Sequence, residues 1–203
     1  RERARKISSR AKNGPDISWN FAELCRQDAP TIHGRQNLGK SAGVRVAFVE
    51  NHDSFSWNVI DCLPVARSNI DIVTPAQAID QMDRYGAVVL GPGPTDPVRA
   101  GLIDVVLCAA SKSIPMLGIC LGHQAIGLAF GAQIKRSDPA HGKCAEATFQ
   151  PSTNFKGIVG AHKVMRYHSL SLHEVKPPLT VIATLTDKTV MGIEHETLPM
   201  AGL

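Results

Sequence analysis

The chain has 203 residues, of which 43% are hydrophobic and 20% charged, a composition typical of a globular protein with one sizeable core. No apolar run approaches the roughly 20 residues that span a bilayer, and the N-terminus lacks the apolar stretch of a signal peptide. Five scattered cysteines without a Cys-x-x-Cys pair argue against a disulfide framework and a zinc site, and favour a cytoplasmic location.

The formal net charge of +4 is unevenly distributed. Residues 1–43 carry nine Lys and Arg against four Asp and Glu, whereas residues 44–203 carry 13 against 14. We interpret residues 1–43 as a linker or the tail of a preceding domain rather than a phosphate-binding arm, and expect no nucleic-acid surface on the domain 44–203. Because the chain starts at Arg1 rather than Met, we expect a fragment of a longer polypeptide.

From residue 44 the chain alternates between short apolar strands and helical patterns. The first four strands are predicted at Val44–Val49, Ile70–Val73, Ala87–Leu90 and Ile114–Ile119. The helices between and after them are predicted at Ser54–Leu63, Pro75–Tyr85, Leu102–Ser111 and Gly122–Phe130. Further β segments follow at Cys144–Phe149, Lys163–Tyr167, Thr180–Leu185 and Val190–His195. This order predicts an α/β fold: an open, mostly parallel sheet with helices on both faces and a mixed or antiparallel extension.

The sequence Gly118-Ile-Cys120-Leu-Gly122 lies between a predicted strand and a predicted helix. A nucleophile on such a tight turn needs small neighbours, because the backbone is crowded there. The N–H groups at the start of the helix point toward the sulfur, so we expect them to favour the thiolate. A buried core cysteine in a glycine-containing turn is the alternative interpretation.

Two further segments fit the hydrolysis of an amide. Gly91-Pro-Gly-Pro94 follows a predicted strand and is a candidate to present a backbone N–H to an oxyanion; a simple turn is the alternative interpretation. The N–H of Leu121 is the natural second donor. Gln124 lies one helical turn beyond Cys120, where its amide could hold a substrate's polar end. Ligands of such sheets gather at the carboxyl ends of the strands, where both the loop and Cys120 fall.

Three motifs resemble class I, triad-type, glutamine amidotransferases and appear in the same order: Gly91-Pro-Gly-Pro94, Gly118 to Gln124, and Arg166-Tyr-His-Ser-Leu170. The similarity covers roughly residues 44–203. Within that family, the segments Glu50 to Phe55 and Gly192 to Pro199 resemble the glutaminase component of anthranilate synthase and aminodeoxychorismate synthase.

The resemblance implies that Cys120 attacks L-glutamine and forms a glutamyl thioester, and that ammonia passes to a chorismate-converting synthase subunit or fused domain. It implies that Gly93 and Leu121 donate to the oxyanion. It further implies a glutamine-binding set of Gly91, Pro92, Gly93, Gln124, Ser169 and Leu170. No metal or cofactor is expected in this domain, and Mg is expected only in the chorismate-converting partner.

The family's catalytic histidine and glutamate belong to a His-Pro-Glu motif, which the resemblance places just beyond Leu203. None of the eight histidines present lies in that motif. His195 is a tempting substitute base, but it falls too early in the pattern, so we expect it to be structural. Two alternatives stay open: a class I amidotransferase serving another acceptor, and a non-catalytic module that regulates a synthase.

Overall fold

The computed structural model describes residues 43–203. The prediction of a linker or tail at residues 1–43 therefore lies outside the described residues, apart from residue 43. The strands are β1 Val46–Val49, β2 Ile70–Val73, β3 Ala87–Leu90, β4 Met116–Gly118, β5 Gln133–Phe149, β6 Gly160–His173, β7 Leu179–Leu185, β8 Val190–His195 and β9 Met200–Gly202. The α-helices are α1 Ser56–Cys62, α2 Pro75–Asp80, α3 Leu102–Ser111 and α4 Leu121–Ala129. Within the described residues, no helix is long and apolar enough to cross a membrane.

The nine strands of residues 43–203 form one sheet in the order β2-β1-β3-β4-β9-β8-β7-β5-β6. The pairs from β2 to β9 are parallel, and those from β9 to β6 are antiparallel. The predicted parallel sheet with an antiparallel extension is therefore confirmed. Strand β9 joins the two halves, because it pairs in parallel with β4 and antiparallel with β8.

Alternate residues of the central strands feed two separate cores. On β1, Val46 and Phe48 pack with Ile60 of α1 on one face, while Ala47 and Val49 pack with α2, α3 and α4 on the other. Every residue of β1 and β3 is buried, as expected for parallel strands covered on both faces. The predicted helical layers are confirmed, and they leave the carboxyl ends of β1, β3 and β4 together at one edge of the sheet.

The largest differences from prediction have physical reasons, while several other elements differ by one or two residues at an end. Helix α2 ends at Asp80, and residues 82–84 form a separate 3₁₀ turn, so the single helix predicted to Tyr85 is wrong in its second half. Strands β5 and β6 are much longer than predicted, because they form a largely exposed two-stranded ribbon in which polar residues are tolerated. Strand β9 was not predicted, since it has three residues and depends on partners distant in sequence.

Candidate active site

Cys120 occupies the turn between β4 and α4 with φ 53° and ψ −99°. A positive φ is costly for a residue with a side chain and is found where the surrounding structure enforces it, often at functional sites. The Cys120 amide donates to the Leu203 carbonyl at 2.8 Å, and the Ile119 amide donates to the Leu90 carbonyl at 2.9 Å. The turn is thus fixed by β9 on one side and β3 on the other.

The two glycines flanking Cys120 are required by close backbone contacts. A Cβ on Gly118 would lie 2.5 Å from the carbonyl carbon and oxygen of Gly122, and a Cβ on Gly122 would lie 2.4 Å from the Leu90 oxygen. No side chain fits at these distances without moving the backbone. The predicted strand, tight turn and helix around the cysteine are therefore present.

The ionisation of Cys120 differs from the prediction. Burial raises the pKa of the Cys120 thiol, and the negative charge of Asp53 adds to the effect. A hydrogen bond from the Leu121 N–H lowers the pKa but does not compensate. The predicted effect of the helix N-terminus is therefore present, but the net pKa of Cys120 is raised, because desolvation of the charged form outweighs one N–H donor.

The Gly91–Pro94 loop packs directly against the nucleophile turn. A Cβ on Gly93 would lie 2.6 Å from Leu121 Cδ2 and 2.8 Å from Asn51 Cβ. The structure therefore brings Gly93 and Leu121, the two predicted oxyanion donors, into contact. Gly91 and Pro92 are buried beneath them, and the Gly91 amide donates to the Val49 carbonyl at 3.1 Å.

Asn51 is a residue of the site to which the sequence analysis assigned no role. It is buried, and its Nδ2 donates to the Gly91 carbonyl at 3.1 Å and to the Val49 carbonyl at 3.3 Å. Asn51 thereby links the end of β1 to the loop that follows β3. The sequence feature that could have indicated this role is the position of Asn51, a polar residue just beyond the carboxyl end of a buried strand, where ligands of parallel sheets bind.

Gln124 and His123 lie in the first turn of α4, and both are buried. Among the described residues, Gln124 Oε1 has no hydrogen-bond partner, so its capacity to accept a hydrogen bond is unused. Burial, with a smaller contribution from the nearby His168, lowers the pKa of His123 to about 4. The Gly202 carbonyl raises the pKa of His123, but neither ring nitrogen has a hydrogen-bond partner of good geometry among the described residues.

Strand β6 brings the third predicted motif toward α4. Leu172 packs against Gly127 on the same face of the helix as His123, to which His168 is electrostatically coupled. Because strand residues alternate, Leu170 lies on this inner face and Ser169 points the other way, where it is exposed. His168 Nδ1 bonds the Leu170 carbonyl at 3.1 Å, which orders the backbone of this segment.

His195 has a structural environment. Its Nδ1 accepts hydrogen bonds from the Thr197 and Leu198 amides, both at 3.1 Å, and its ring packs edge-on against Phe130. Burial lowers its pKa to about 4, so the ring is neutral at neutral pH. These contacts agree with the structural role predicted for His195, since Nδ1 is already occupied by the turn before β9.

The neighbouring Glu194 also has a structural environment. Burial alone would raise its pKa, but hydrogen bonds from Ser152, Asn154 and Thr153 leave it lowered. Its carboxylate holds the turn after β5, with the Ser152 hydroxyl donating at 2.7 Å.

The comparisons with known proteins agree with this geometry. The family model described as glutamine amidotransferase class-I matches residues 47–203, which contain every site residue described above. The chain belongs to the class I glutamine amidotransferase family. The amidotransferase fold is also found in a glutamine amidotransferase from Thermotoga maritima, with a TM-score of 0.64 and 20% identity over 79% of this chain and 74% of that one.

Curated relatives share more of the sequence. An anthranilate synthase component 2 from Azospirillum brasilense is 33% identical over 166 residues, covering 76% of this chain and 83% of the relative. An aminodeoxychorismate synthase from Streptomyces griseus is 36% identical over 168 residues, covering 79% of this chain. The matched region is only 23% of that second relative, so this amidotransferase domain corresponds to less than a quarter of its length.

Proposed function

We propose that this domain hydrolyses L-glutamine through a Cys120 thioester and supplies the ammonia to a chorismate-converting synthase. The observation that carries the proposal is the strained turn at Cys120, held against a glycine loop whose Gly93 contacts Leu121. Enforced positive φ at a cysteine between a parallel strand and a helix suits a nucleophile. A cysteine that only fills the core does not require this strained backbone conformation.

The proposed chemistry has two stages. Cys120 Sγ attacks the carbon of the glutamine side-chain amide, and the N–H groups of Gly93 and Leu121 stabilise the oxyanion that forms. The C–N bond then breaks, the nitrogen takes up the thiol proton and leaves as ammonia, and a glutamyl thioester remains. Water adds to the thioester, which releases glutamate and restores the thiol.

This reaction requires a base, because the pKa of Cys120 is raised. Among residues 43–203, His123 is buried with its pKa lowered to about 4, and His195 Nδ1 is occupied by two amides. Both nitrogens of His168 are occupied, since Nδ1 donates to the Leu170 carbonyl and Nε2 accepts from the Arg166 guanidinium. We place the base and its glutamate partner after Leu203, whose carbonyl already contacts the Cys120 amide.

Glutamine would lie between the loop and α4. Gly91, Pro92 and Gly93 would border one side, and Gln124 Oε1, which lacks a partner among the described residues, would accept from a substrate donor. Leu170, and Ser169 through its backbone, would border the site from β6. The assignment to a chorismate-converting synthase is supported by the names of the two curated relatives.

Covalent labelling tests the nucleophile. In the complete protein, a glutamine-mimicking diazo-ketone should modify Cys120 and no other cysteine, and excess glutamine should protect it. Cys120→Ser should remain unlabelled and lose glutaminase activity by at least about 10³-fold. Modification of Cys62 or Cys108 instead, or labelling that glutamine does not reduce, would contradict the role of Cys120.

Isotope transfer tests the acceptor. The complete protein, with its synthase, is given glutamine labelled with ¹⁵N in the side-chain amide, together with chorismate. Aminated product should carry the label even when unlabelled ammonium is present in excess. Label passing to a nucleotide or to carbamoyl phosphate instead would identify an amidotransferase for another acceptor, and no glutamate release at all would favour a non-catalytic module.

A further inference from the structure

Arg166 and His168 form a hydrogen-bonded pair on strand β6, beside the predicted glutamine-binding segment. Arg166 Nε donates to His168 Nε2 at 3.3 Å, and His168 Nδ1 lies 3.1 Å from the Leu170 carbonyl oxygen. The three residues alternate along the strand, so they share one face, and all three are partly buried. The pair therefore connects a charged side chain to the backbone of Leu170.

The chemistry of arginine determines which nitrogen of His168 carries the proton. A guanidinium group stays charged and can only donate hydrogen bonds. His168 Nε2 must therefore be the acceptor, and in the neutral ring the proton lies on Nδ1. The ring is neutral at neutral pH, because burial and, to a smaller degree, the charge of Arg166 lower its pKa. Nδ1 thus donates to the Leu170 carbonyl.

Strand β5 gives this part of β6 an irregular partner. Between the pair of Arg136 with Leu170 and the pair of Ala140 with His168, three residues of β5 face Ser169 alone. Such a bulge interrupts the ladder of backbone hydrogen bonds between the two strands. The bond from the histidine therefore restrains the backbone of β6 at the point where strand pairing is irregular.

The pair also faces the helix that follows the nucleophile. His168 interacts electrostatically with His123, which lies in the first turn of α4. Leu172, two residues beyond Leu170 on the same face of β6, packs against Gly127 of the same helix. The backbone that the histidine restrains therefore borders α4, on the side where glutamine is proposed to bind.

We infer that Arg166 is a positioning residue, which fixes the Nδ1–H tautomer of His168 and thereby holds the Ser169–Leu170 backbone in the conformation that binds glutamine. This inference rests on the proposed function. Arg166 acts through His168 and does not itself contact the substrate. Without the guanidinium, Nε2 can also carry the proton, and Nδ1 then has none to donate to the carbonyl. Glutamine would have to order that backbone on binding, which weakens its affinity and leaves the chemical step unchanged.

Steady-state kinetics of glutamine hydrolysis in the complete protein test this role. The side-chain amide introduced by Arg166→Gln can donate or accept, so it leaves the tautomer of His168 undetermined. We expect the KM for glutamine to rise by about tenfold or more, while kcat stays within about threefold. Arg166→Lys keeps a group that only donates, so its KM should stay within about threefold of wild type. A KM that Arg166→Gln leaves unchanged, or that Arg166→Lys raises as much, would overturn the inference.

A double-mutant cycle separates action through His168 from direct contact with glutamine. His168→Ala should raise KM by about tenfold or more, since the bond to the Leu170 carbonyl is lost. Adding Arg166→Gln to His168→Ala should change KM by less than about twofold, because no tautomer is left to fix. If the two effects multiply instead, Arg166 contacts the substrate directly, and its role through His168 is overturned.

Nuclear magnetic resonance measures the tautomer independently of activity. In complete protein labelled with ¹⁵N-histidine, long-range ¹H–¹⁵N correlations distinguish a proton on Nδ1 from one on Nε2. The signal of His168 is the one missing from His168→Ala or His168→Gln. Wild type should show the proton on Nδ1, and Arg166→Gln should show it wholly or partly on Nε2. A wild-type ring protonated on Nε2, or an Nδ1–H tautomer that persists in Arg166→Gln, would contradict the inference.

Matched controls replace the same residue types elsewhere. Arg84 is exposed in the 3₁₀ turn before β3 and donates to Gln81 Oε1 at 2.8 Å. His162 is exposed on β6, where its Nε2 lies 3.1 Å from the Val159 carbonyl oxygen. Arg84→Gln and His162→Ala should leave KM within about twofold of wild type. Equal losses in Arg166→Gln and Arg84→Gln would overturn the positioning role. A wild type that releases no glutamate would instead overturn the proposed function, since the tautomer measurement needs no turnover.

Discussion

The carbonyl oxygen of Leu203 accepts a hydrogen bond from the Cys120 amide at 2.8 Å, although the two residues are more than 80 positions apart in sequence. The bond ties the end of β9 to the residue with the strained backbone. Any residue that follows Leu203 in the chain starts beside the nucleophile. This is why we place the base after Leu203, rather than at a histidine elsewhere in the domain.

The two glycines of α4 should respond differently to alanine. A Cβ on Gly122 would meet the Leu90 backbone, while a Cβ on Gly127 would meet only the Leu172 side chain, which can move. We expect Gly122→Ala to lower the free energy of unfolding by about 2–3 kcal/mol and to abolish diazo-ketone labelling. Gly127→Ala should cost less, about 1 kcal/mol or below, and retain labelling. Urea denaturation and mass spectrometry measure both, and equal effects would contradict this account.

Asn51 should be needed to shape the glycine loop. Asn51→Ala removes two hydrogen bonds and leaves the Val49 and Gly91 carbonyls without these partners. We expect a loss of about 1–3 kcal/mol in unfolding free energy and a glutaminase kcat/KM at least tenfold lower in the complete protein. Asn58→Ala, at an exposed position of α1, serves as the control and should be neutral. Unchanged kinetics in Asn51→Ala would remove its positioning role.

The thiol of Cys120 should be slow to react at neutral pH in this domain. Its pKa is raised, mainly by burial, so the protonated form persists above the range in which a free cysteine ionises. The alkylation rate of Cys120 should therefore rise with pH at a midpoint higher than that of glutathione measured alongside. Quantitative mass spectrometry of the Cys120 peptide gives the profile. A midpoint below that of glutathione would show that the helix N-terminus dominates after all.

Two buried histidines should make the domain sensitive to acid. The pKa values of His123 and His195 are lowered to about 4, whereas an unfolded histidine titrates near 6.5. The unfolded chain therefore binds more protons between these values, and stability falls as the pH drops from about 6.5 to about 4. Each histidine contributes roughly 3 kcal/mol to that loss.

Substitution can separate the contribution of His195. Asn can accept the Thr197 and Leu198 amides without titrating in this range, so His195→Asn should unfold at lower pH than wild type. The control is His52→Asn, since His52 is exposed and its φ of 60° is tolerated by asparagine. Denaturant curves between pH 4 and 7 make the comparison. An unchanged pH dependence in His195→Asn would mean that folding does not lower the pKa of His195.

Local sequence patterns were sufficient for several of the short elements. Strands β2, β3 and β8 and helix α3 have the predicted boundaries, because their apolar runs end at polar or turn-forming residues. The motif around Cys120 predicted the turn for a similar reason, because glycines two residues before and two residues after a cysteine are typical of a tight strand-to-helix turn.

Features that depend on distant partners were not predictable. Met200–Gly202 becomes a strand only because β4 and β8 leave room between them, and Asn51 acquires its role only when the loop after β3 reaches it. The raised pKa of Cys120 likewise depends on how deeply the folded chain covers the sulfur. No pattern within a few residues of Cys120 contains that information.

The position of β9 between the parallel and antiparallel halves sets the order in which the domain can be completed during synthesis. Ribosomes make β4 and the Cys120 turn roughly eighty residues before β9. Until β9 is made, β4 and β8 each lack the strand that pairs with both of them. Until then the backbone around the sulfur lacks its Leu203 partner. Nascent chains halted before residue 200 should therefore expose an unfinished sheet edge, to which chaperones that recognise unpaired strands would bind.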